Sequence, residues 1–176
     1  LDVSNSTGAG VFAQSGGAIQ GTDWHLHHNG QEGFFLDRAA TIVDGLNVHD
    51  NADSGVHIDD ARYVYLSNLT SSLNGDAGLE FDRANDIESS SGDVRCTNCT
   101  SSGDYRGVVV IDSVDLYLED LEVYDPVTGP AIAINNSGLD IGVQGGMFHL
   151  NNVKTWINHS GPAIDITGAE GEIDGL

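Results

Sequence analysis

The chain has 176 residues, of which 39% are hydrophobic, and its 23 glycines and 3 prolines favour many short turns over long helices. Its net charge of -21, from 27 acidic and 6 basic residues, argues against duplex DNA or RNA as a partner because phosphate contacts need Lys and Arg. No apolar run in the sequence is long enough to span a membrane.

The acidic surplus predicts a protein adapted to high salt. Two unit charges about 4.8 Å apart repel by roughly 0.9 kcal/mol in water, whereas at about 1 M salt the screening length falls to about 3 Å. Large net charge is a property of halophilic proteins. A calcium-rich extracellular environment is the alternative explanation of the same composition.

A five-residue motif recurs along the chain. It is clearest as Gly55-Val56-His57-Ile58-Asp59, where the first and third residues after the glycine are apolar and predict a strand with one buried face. Copies begin at Gly10, Gly33, Gly55, Gly78, Gly107, Gly129 and Gly161, at intervals of 23, 22, 23, 29, 22 and 32 residues. A repeat of this length predicts a solenoid.

The repeat occupies almost the whole sequence. Residues 1–9 are a linker or the edge of an earlier coil, and we expect one elongated domain over residues 1–176. Because the pattern is cut at both ends and a solenoid normally carries polar caps, we expect the domain to be a segment of a longer chain. Uncovered strand ends would also invite neighbouring copies to stack into a homo-oligomer or fibre.

A column of turn residues accompanies the glycines. The residues four places before successive glycines are Asn29, Asn51, Asn74, Gly103 and Asp125. Three asparagines in register predict a ladder inside one turn, in which each amide bonds backbone groups of the next coil. We assign this column to the fold and not to the function.

The coil after Phe81 is longer than the others. Residues 86–104 are rich in Ser and Gly and predict a protruding loop that holds Cys96 and Cys99. This CxxC has no second pair to complete a zinc site, so we expect a local disulfide. Glycosylation sequons, which fit an exported surface, occur at Asn5, Asn68, Asn98, Asn135 and Asn158.

Three short strands per coil of 22 or 23 residues, joined by Gly, Asn and Asp turns, resemble the right-handed parallel β-helix of the pectate-lyase-like superfamily. The resemblance rests on the repeated Gly-apolar-x-apolar-Asp and the turn asparagine, and it extends over nearly the whole chain. It implies an all-β solenoid of about seven coils with two longer loops, after Phe81 and after Gly129. For an enzyme, it also implies a polysaccharide bound along an outward face.

Stacked coils bring equal positions together, and two outward columns are polar. The fourth residues after the glycines are Gln14, Asp37, Asp59, Asp82, Ile111, Ala133 and Asp165. The column beside them contains Phe12, Phe35, His57, Glu80 and Val109, and the residues just after the carboxylates include Arg38, Asp60 and Arg83.

This cluster allows three interpretations. In an enzyme, the catalytic residues would be Asp37, Asp59, Asp82 and His57, with ligand-binding side chains Glu80, Arg38, Arg83 and Phe35. The same three aspartates are a candidate calcium site, because hard cations take several carboxylate oxygens. The third interpretation is structural, with a charge ladder of Arg38, Asp60 and Arg83 that links the coils.

A second candidate site is a group of histidines. His27 and His49 lie 22 residues apart and are expected to stack, and His25 shares the outward face of the strand of His27, with His28 and Asp50 close by. Imidazoles in this arrangement can bind a transition metal. The alternative is a set of exposed strand residues without a ligand.

The sequence favours a non-catalytic extracellular element that recognises glycans, as part of a cell-surface, adhesin, viral spike or filament protein. Of the polygalacturonase motifs Asn-Thr-Asp, Asp-Asp, Gly-His-Gly and Arg-Ile-Lys, the chain carries only Asp59-Asp60, and it lacks the Asp-Pro-His of alginate epimerases. The alternative is a polysaccharide lyase, epimerase or hydrolase that uses Asp37, Asp59, Asp82 and His57.

Overall fold

A computed structural model of the protein describes residues 1–84, 94–113, 115–135 and 147–175. These residues form only strands and turns, so none of them belongs to a helix that could cross a membrane. The strands are β1 (Asp2–Ser4), β2 (Val11–Gln14), β3 (Ala18–His27), β4 (Phe34–Asp37), β5 (Ala40–His49), β6 (Val56–Asp59), β7 (Val64–Ser72), β8 (Ala77–Asp82), β9 (Val94–Ser102), β10 (Arg106–Ile111), β11 (Leu116–Tyr124), β12 (Ile132–Asn135), β13 (Phe148–Asn151), β14 (Lys154–Trp156), β15 (Ile164–Thr167) and β16 (Gly171–Asp174).

The strands form two parallel sheets. The nine-stranded sheet has the order β1-β3-β5-β7-β9-β11-β13-β16, with β14 also paired to β11, and the seven-stranded sheet has the order β2-β4-β6-β8-β10-β12-β15. Successive strands of each sheet come from successive coils, and only the coil of β13 and β14 adds two described strands to one sheet. The chain therefore winds as the parallel β-helix that the repeat predicts.

The coils that begin with β2, β4, β6, β8 and β10 each have two described strands instead of the three that the sequence predicts, whereas the coil of β12 has three, β12, β13 and β14. The second and third expected strands are joined into one of nine or ten residues, which bends at a residue with left-handed φ. The bend residues are Asp23, Gly45, Asn68, Asn98 and Asp120, with φ between 51° and 74°. Gly, Asn and Asp tolerate this conformation best, which is why the strand continues through the bend.

The core lies between the sheets and is made of stacked apolar columns. Phe34, Val56, Leu79, Val108 and Ile132 pair in register and have no exposed surface. Phe34, Val56, Leu79 and Val108 directly follow the motif glycines, so the period of two that the motif predicts is confirmed in these coils. Complete burial of such a side chain stabilises the fold by roughly 1.5–3 kcal/mol.

The asparagine ladder forms as predicted in its first three members. Asn29 donates through Nδ2 to Asn51 Oδ1 and Asn51 donates in the same way to Asn74, both at 2.9 Å. The next member is Asp104, so the expected places of Gly103 and Asp125 were wrong. Gly103 and Asp125 instead occupy the turn position just before that of the ladder, where they have left-handed φ values of 63° and 46°.

The glycine that opens each motif is required by the ladder. A Cβ atom on Gly55 would lie 2.4 Å from Ser71 Oγ and 2.7 Å from Asn74 Nδ2. Real Cβ atoms do not approach other atoms so closely, because the interior is already close-packed. The repeat therefore keeps glycine where the strand passes nearest to the amides.

The predicted register fails after Gly107. Val108 N donates to Ala131 O and Ile132 N donates to Ala163 O, so the coils that follow align on alanines and not on Gly129 and Gly161. Gly129 has φ 71° in a turn before Pro130, and the strand begins at Ile132. Consequently Ala133 pairs with Val109, and Asp165 pairs with Ala133. Both residues continue the column of Val109 and not the aspartate column.

The two cysteines lie in the core and not in a loop. Cys96 and Cys99 belong to β9, have no exposed surface and are joined by a disulfide. The prediction of a loop over residues 86–104 is thus wrong for 94–102, which are strand, while residues 86–93 lie outside the described residues. The other long coil includes residues 136–146, which are also outside them.

Candidate functional site

The predicted polar cluster lies on the outward face of the seven-stranded sheet, on β2, β4, β6 and β8. Because side chains alternate across a strand, burial of Phe34 and Leu36 turns Phe35 and Asp37 outward. Eight residues in two registered columns form what we call the ring–carboxylate face: Phe12, Phe35, His57 and Glu80, beside Gln14, Asp37, Asp59 and Asp82.

The first column begins with three stacked rings. The Phe12 and Phe35 ring centroids are 5.1 Å apart with an angle of 25° between the planes, and those of Phe35 and His57 are 4.8 Å apart with an angle of 21°. The Phe12 side is open, since this residue keeps 52% of its surface exposed. The stack therefore presents an apolar surface to solvent at one end and an imidazole at the other.

His57 sits between two glutamates. Its Nδ1 lies 3.7 Å from Glu32 Oε1, while its Nε2 is buried and meets no hydrogen-bond partner in the described part of the chain. Burial works against protonation, but the ion pair with Glu32 and the charges of Glu80 and Asp59 outweigh it and raise the pKa of His57. The ion pair with His57 lowers the pKa of Glu32.

Glu80, on β8, is held by a residue that precedes β6 in the neighbouring coil. Ser54 donates to Glu80 Oε2 at 2.7 Å, and Arg106 Nη2 lies 3.9 Å from Glu80 Oε1. Arg106 also binds Asp76 with two nitrogens, at 2.5 and 2.7 Å. The side chains around His57 and Glu80 are thus fixed by residues from several coils.

Arg83 connects the aspartates of two coils. Its guanidinium lies 2.5 Å from Asp59, 3.3 Å from Asp60 and 3.1 Å from Asp82. Burial raises the pKa of Asp59, and the charge of Arg83 offsets only part of this rise. One guanidinium therefore neutralises a group of carboxylates that would otherwise repel one another.

Asp37 has its own partners. Arg38 donates to both of its oxygens, at 2.7 and 3.1 Å, and Gln14 donates to Oδ2 at 2.7 Å. The hydrogen bonds from Arg38 and then from Gln14 lower the pKa of Asp37. Arg38 thus pairs within its own coil, unlike in the predicted ladder, whereas the Arg83–Asp60 pair of that ladder is present.

The calcium hypothesis finds little support in this geometry. Asp59 and Asp82 are bound by Arg83, and Asp37 is bound by Arg38 and Gln14. A cation among these carboxylates would compete with the guanidinium groups of Arg38 and Arg83. The carboxylates that the sequence brought into one column are therefore not a free set of oxygen ligands.

A shallow groove adjoins the ring–carboxylate face at the turn after the aspartate column. It has a volume of about 530 Å³. Its lining residues are Gly16, Gly17, Ala18, Arg38, Ala39, Ala40, Asp60, Arg62 and Tyr63. Small residues form most of the lining, and Arg38 and Asp60 border both the groove and the face.

Sequence reasoning missed Glu32, Ser54 and Arg106, although a signal for them exists. Each of the three directly precedes a motif glycine, namely Gly33, Gly55 or Gly107. Backbone hydrogen bonds place Glu32, Ser54 and Ala77 in one column. The residues just before Gly33, Gly55 and Gly107 are polar, so a comparison of this position between coils would have found them. Glu32 raises the pKa of His57, and Ser54 and Arg106 contact the carboxylate of Glu80.

The remaining predicted sites lie elsewhere. The sequon asparagines Asn5, Asn68, Asn98, Asn135 and Asn158 are exposed. Asn68 and Asn98 are bend residues, and Asn98 donates to Asn68 Oδ1 at 2.6 Å. The predicted histidines come together on the nine-stranded sheet, away from the ring–carboxylate face.

The chain belongs to the right-handed β-helix family, because the family described as "Right handed beta helix region" matches residues 1–145. Its structure is similar to the A-module of mannuronan C-5 epimerase AlgE4 from Azotobacter vinelandii, with a TM-score of 0.63 and 15% sequence identity. The match covers 98% of this chain but 60% of that module, so the chain spans about three fifths of its length. The chain matches no curated protein. These findings confirm the predicted fold class.

Proposed function

We propose that the ring–carboxylate face binds glycans without altering them chemically. The observation that carries this proposal is the exposed Phe12–Phe35 stack beside an ordered column of hydrogen-bonding side chains. A sugar ring has an apolar C–H surface, which packs on aromatic rings, and hydroxyl groups, which donate to carboxylates. Binding sites for small ligands commonly combine an apolar surface with a few fixed polar groups in this way.

The state of the polar groups favours binding over catalysis. A general acid or base must reach the proton that it transfers. His57 Nε2 is covered, and Asp59 and Asp82 are occupied by Arg83. These contacts hold the side chains in place for recognition but leave them poorly placed for proton transfer to a substrate.

The charge of the face selects the class of glycan. Carboxylates outnumber guanidinium groups, with Glu32, Glu80 and the aspartates around Arg38 and Arg83. A polyanionic chain would be repelled by this surface and by the net charge of -21. We therefore expect neutral glycans as ligands.

The test is a binding survey of the full chain against neutral and acidic polysaccharides. Phe12→Ala is expected to weaken binding of a neutral glycan about tenfold, since it removes roughly 1.4 kcal/mol of contact. Ile42→Ala is the matched control, because Ile42 is equally exposed, at 50%, but lies on the nine-stranded sheet. Undiminished binding by Phe12→Ala would refute the proposal.

A polysaccharide-active enzyme is the second candidate function. It is favoured by Asp59, whose pKa is raised by burial in the direction that suits a carboxyl acting as an acid. The structurally similar module is also named as a mannuronan C-5 epimerase. Appearance of epimerised, unsaturated or reducing sugar products that is abolished by Asp59→Asn would replace the binding proposal with this one.

We also propose that the protein works outside the cell, in a saline environment, as part of a surface or filament protein. The Cys96–Cys99 disulfide, the exposed sequon asparagines and the acidic composition support this setting. Mass spectrometry of the protein from its native source would detect glycans on the sequon peptides. Unfolding that is opposed equally by sodium and potassium chloride, with no additional effect of calcium, would support the saline environment over the calcium-rich one.

A further inference from the structure

Four histidines and two aspartates meet at one end of the nine-stranded sheet. His27 on β3 pairs in register with Ser4 on β1 and with His49 on β5. Leu26 and Val48 point into the core with no exposed surface, so the histidines on either side of them point outward. The members of this histidine patch are Asp2, His25, His27, His28, His49 and Asp50.

The imidazoles contact one another directly. His25 Nε2 and His49 Nε2 are 2.7 Å apart, and so are His27 Nδ1 and His28 Nδ1. The His27 and His49 rings are stacked, with centroids 5.0 Å apart and 11° between their planes. Four rings from two coils thus turn their nitrogens toward each other instead of toward solvent.

Asp50 and Asp2 each form a hydrogen bond with the second ring nitrogen of one histidine, His49 and His27 respectively. Asp50 Oδ2 lies 2.7 Å from His49 Nδ1, and Asp2 Oδ1 lies 3.2 Å from His27 Nε2. A carboxylate that accepts the Nδ1–H of a histidine leaves the lone pair on Nε2, which is the usual arrangement behind a metal-binding histidine. In His49 this lone pair faces the Nε2 of His25.

We propose that the histidine patch binds one divalent transition metal ion, such as zinc or copper, with His25 and His49 as its first ligands. The donor atoms of Asp2, His25 and His27 lie within 4.8 Å of one another, and so do those of His28, His49 and Asp50. His25 and His49 thus each belong to a group of three potential ligands, and the two groups meet at the His25–His49 contact. Imidazole nitrogens select zinc, copper or nickel over calcium and magnesium, which take oxygen ligands.

The geometry needs only a small adjustment to hold such an ion. With zinc–nitrogen bonds of about 2.0–2.1 Å, two ligands of a tetrahedral site are separated by about 3.3 Å. The His25 and His49 nitrogens are 2.7 Å apart, so the rings would have to separate by about 0.6 Å. Both rings are on the protein surface, where side-chain rotation can provide this movement.

The histidine patch is separate from the proposed glycan site. It lies on the nine-stranded sheet, and none of its members belongs to the ring–carboxylate face. The two proposals can therefore fail independently, and the metal experiment requires no glycan.

The experiment is a titration of the chelator-treated full chain with zinc chloride, and separately with copper(II) chloride, by calorimetry in high salt. We expect one ion per chain and dissociation constants in the micromolar range or below. His25→Gln and His49→Gln should each weaken binding about 10- to 100-fold, and Asp50→Asn should weaken it less because its effect passes through His49. His149→Gln is the control, since His149 lies on the same sheet but is outside the patch.

Circular dichroism without metal checks that each variant is folded. If one glutamine variant does not fold, the other and Asp50→Asn still test the site, and the cobalt(II) absorption spectrum of the wild-type protein identifies imidazole ligands independently. Equal zinc affinity in the wild type and the folded variants would overturn the proposal. Displacement of zinc by an equal concentration of calcium chloride would overturn it as well.

Discussion

Asn74 donates through Nδ2 to Asp104 Oδ1 at 2.9 Å, and with this bond the amide ladder inside the solenoid ends on a carboxylate. Asp104 has no exposed surface, and it also accepts from Asn74 N at 2.9 Å and from Ser101 Oγ at 2.8 Å. Burial raises the pKa of Asp104, and these hydrogen bonds offset the rise only in part. The ionised carboxylate is therefore unfavourable in the folded protein.

Replacement of Asp104 by asparagine should stabilise the protein at neutral pH. The pKa of Asp104 in the folded protein lies above its value of about 3.9 in the unfolded chain. Between these two pH values the folded protein binds more protons than the unfolded chain does. The contribution of Asp104 to stability therefore falls as the pH rises through this range. Asp104→Asn avoids this loss and continues the ladder with an amide. We expect a gain of about 1 kcal/mol in the free energy of unfolding in urea at pH 7.

The gain should disappear in acid. Below a pH of about 3.9 the carboxyl is protonated in both states, so the amide has no electrostatic advantage. Asp125→Asn is the control, because Asp125 is exposed and its replacement removes the same charge. An equal gain in both variants would mean that net charge, and not burial, is responsible.

The motif glycine should be irreplaceable where it passes the ladder. A Cβ on Gly55 would meet Ser71 Oγ at 2.4 Å and Gly78 O at 2.8 Å, so Gly55→Ala should lower the free energy of unfolding by about 3 kcal/mol or prevent folding. Gly17→Ala is the matched control, because the nearest atom to its Cβ would be Gln14 O at 3.9 Å. Thermal unfolding of the two variants makes the comparison, and similar melting temperatures would contradict the packing argument.

The sequence predicts the regular part of this fold closely. The motif at Gly33 and Gly55 predicts β4 and β6, because a strict period of two leaves one choice of buried face. The same regularity places Asp37, Asp59 and Asp82 in one column. Where coils have equal length, counting residues is enough to find spatial neighbours.

Departures from equal length limit the prediction. The turn before Gly107 is one residue shorter than the preceding turns, which moves the ladder position from Gly103 to Asp104. A repeat pattern also does not predict which partner a side chain binds. The sequence places Arg38 near both Asp37 and Asp60, and in the structure Arg38 binds Asp37. Whether the ring–carboxylate face binds glycans stays a prediction, because neither the repeat nor the fold determines it.

His57 should titrate above the ordinary imidazole value of 6.5. Burial alone would lower the pKa of His57, so Glu32→Gln, which removes the negative charge beside Nδ1, should move the pKa downward. The ring proton signals of His57, followed by NMR across pH 5 to about 9, measure both values. Glu172→Gln is the control, because Glu172 lies 3.6 Å from the distant His149.

The same shift has a consequence for stability. Because the folded-state pKa of His57 is above its unfolded value, the stabilisation is complete below a pH of about 6.5 and is lost as the pH rises through the folded-state pKa. Wild-type protein should lose stability over this range relative to His57→Gln. An identical pH dependence in both proteins would show that Glu32 does not hold a protonated imidazole.

Arg83 should stabilise the solenoid in a salt-dependent manner. It bridges Asp59 and Asp60 of one coil to Asp82 of the next, so Arg83→Gln leaves three carboxylates without their shared cation. Because the Arg83 side chain is 43% exposed, we expect a loss of only about 1 kcal/mol in dilute buffer. In about 1 M sodium chloride the screening length is about 3 Å, and most of the loss should disappear.

Arg38→Gln removes the same charge but breaks only a pair within one coil, so it should cost less at low salt. Urea unfolding of both variants at low and high salt tests this, and equal losses, or a loss unchanged by salt, would show that the bridge between coils does not matter.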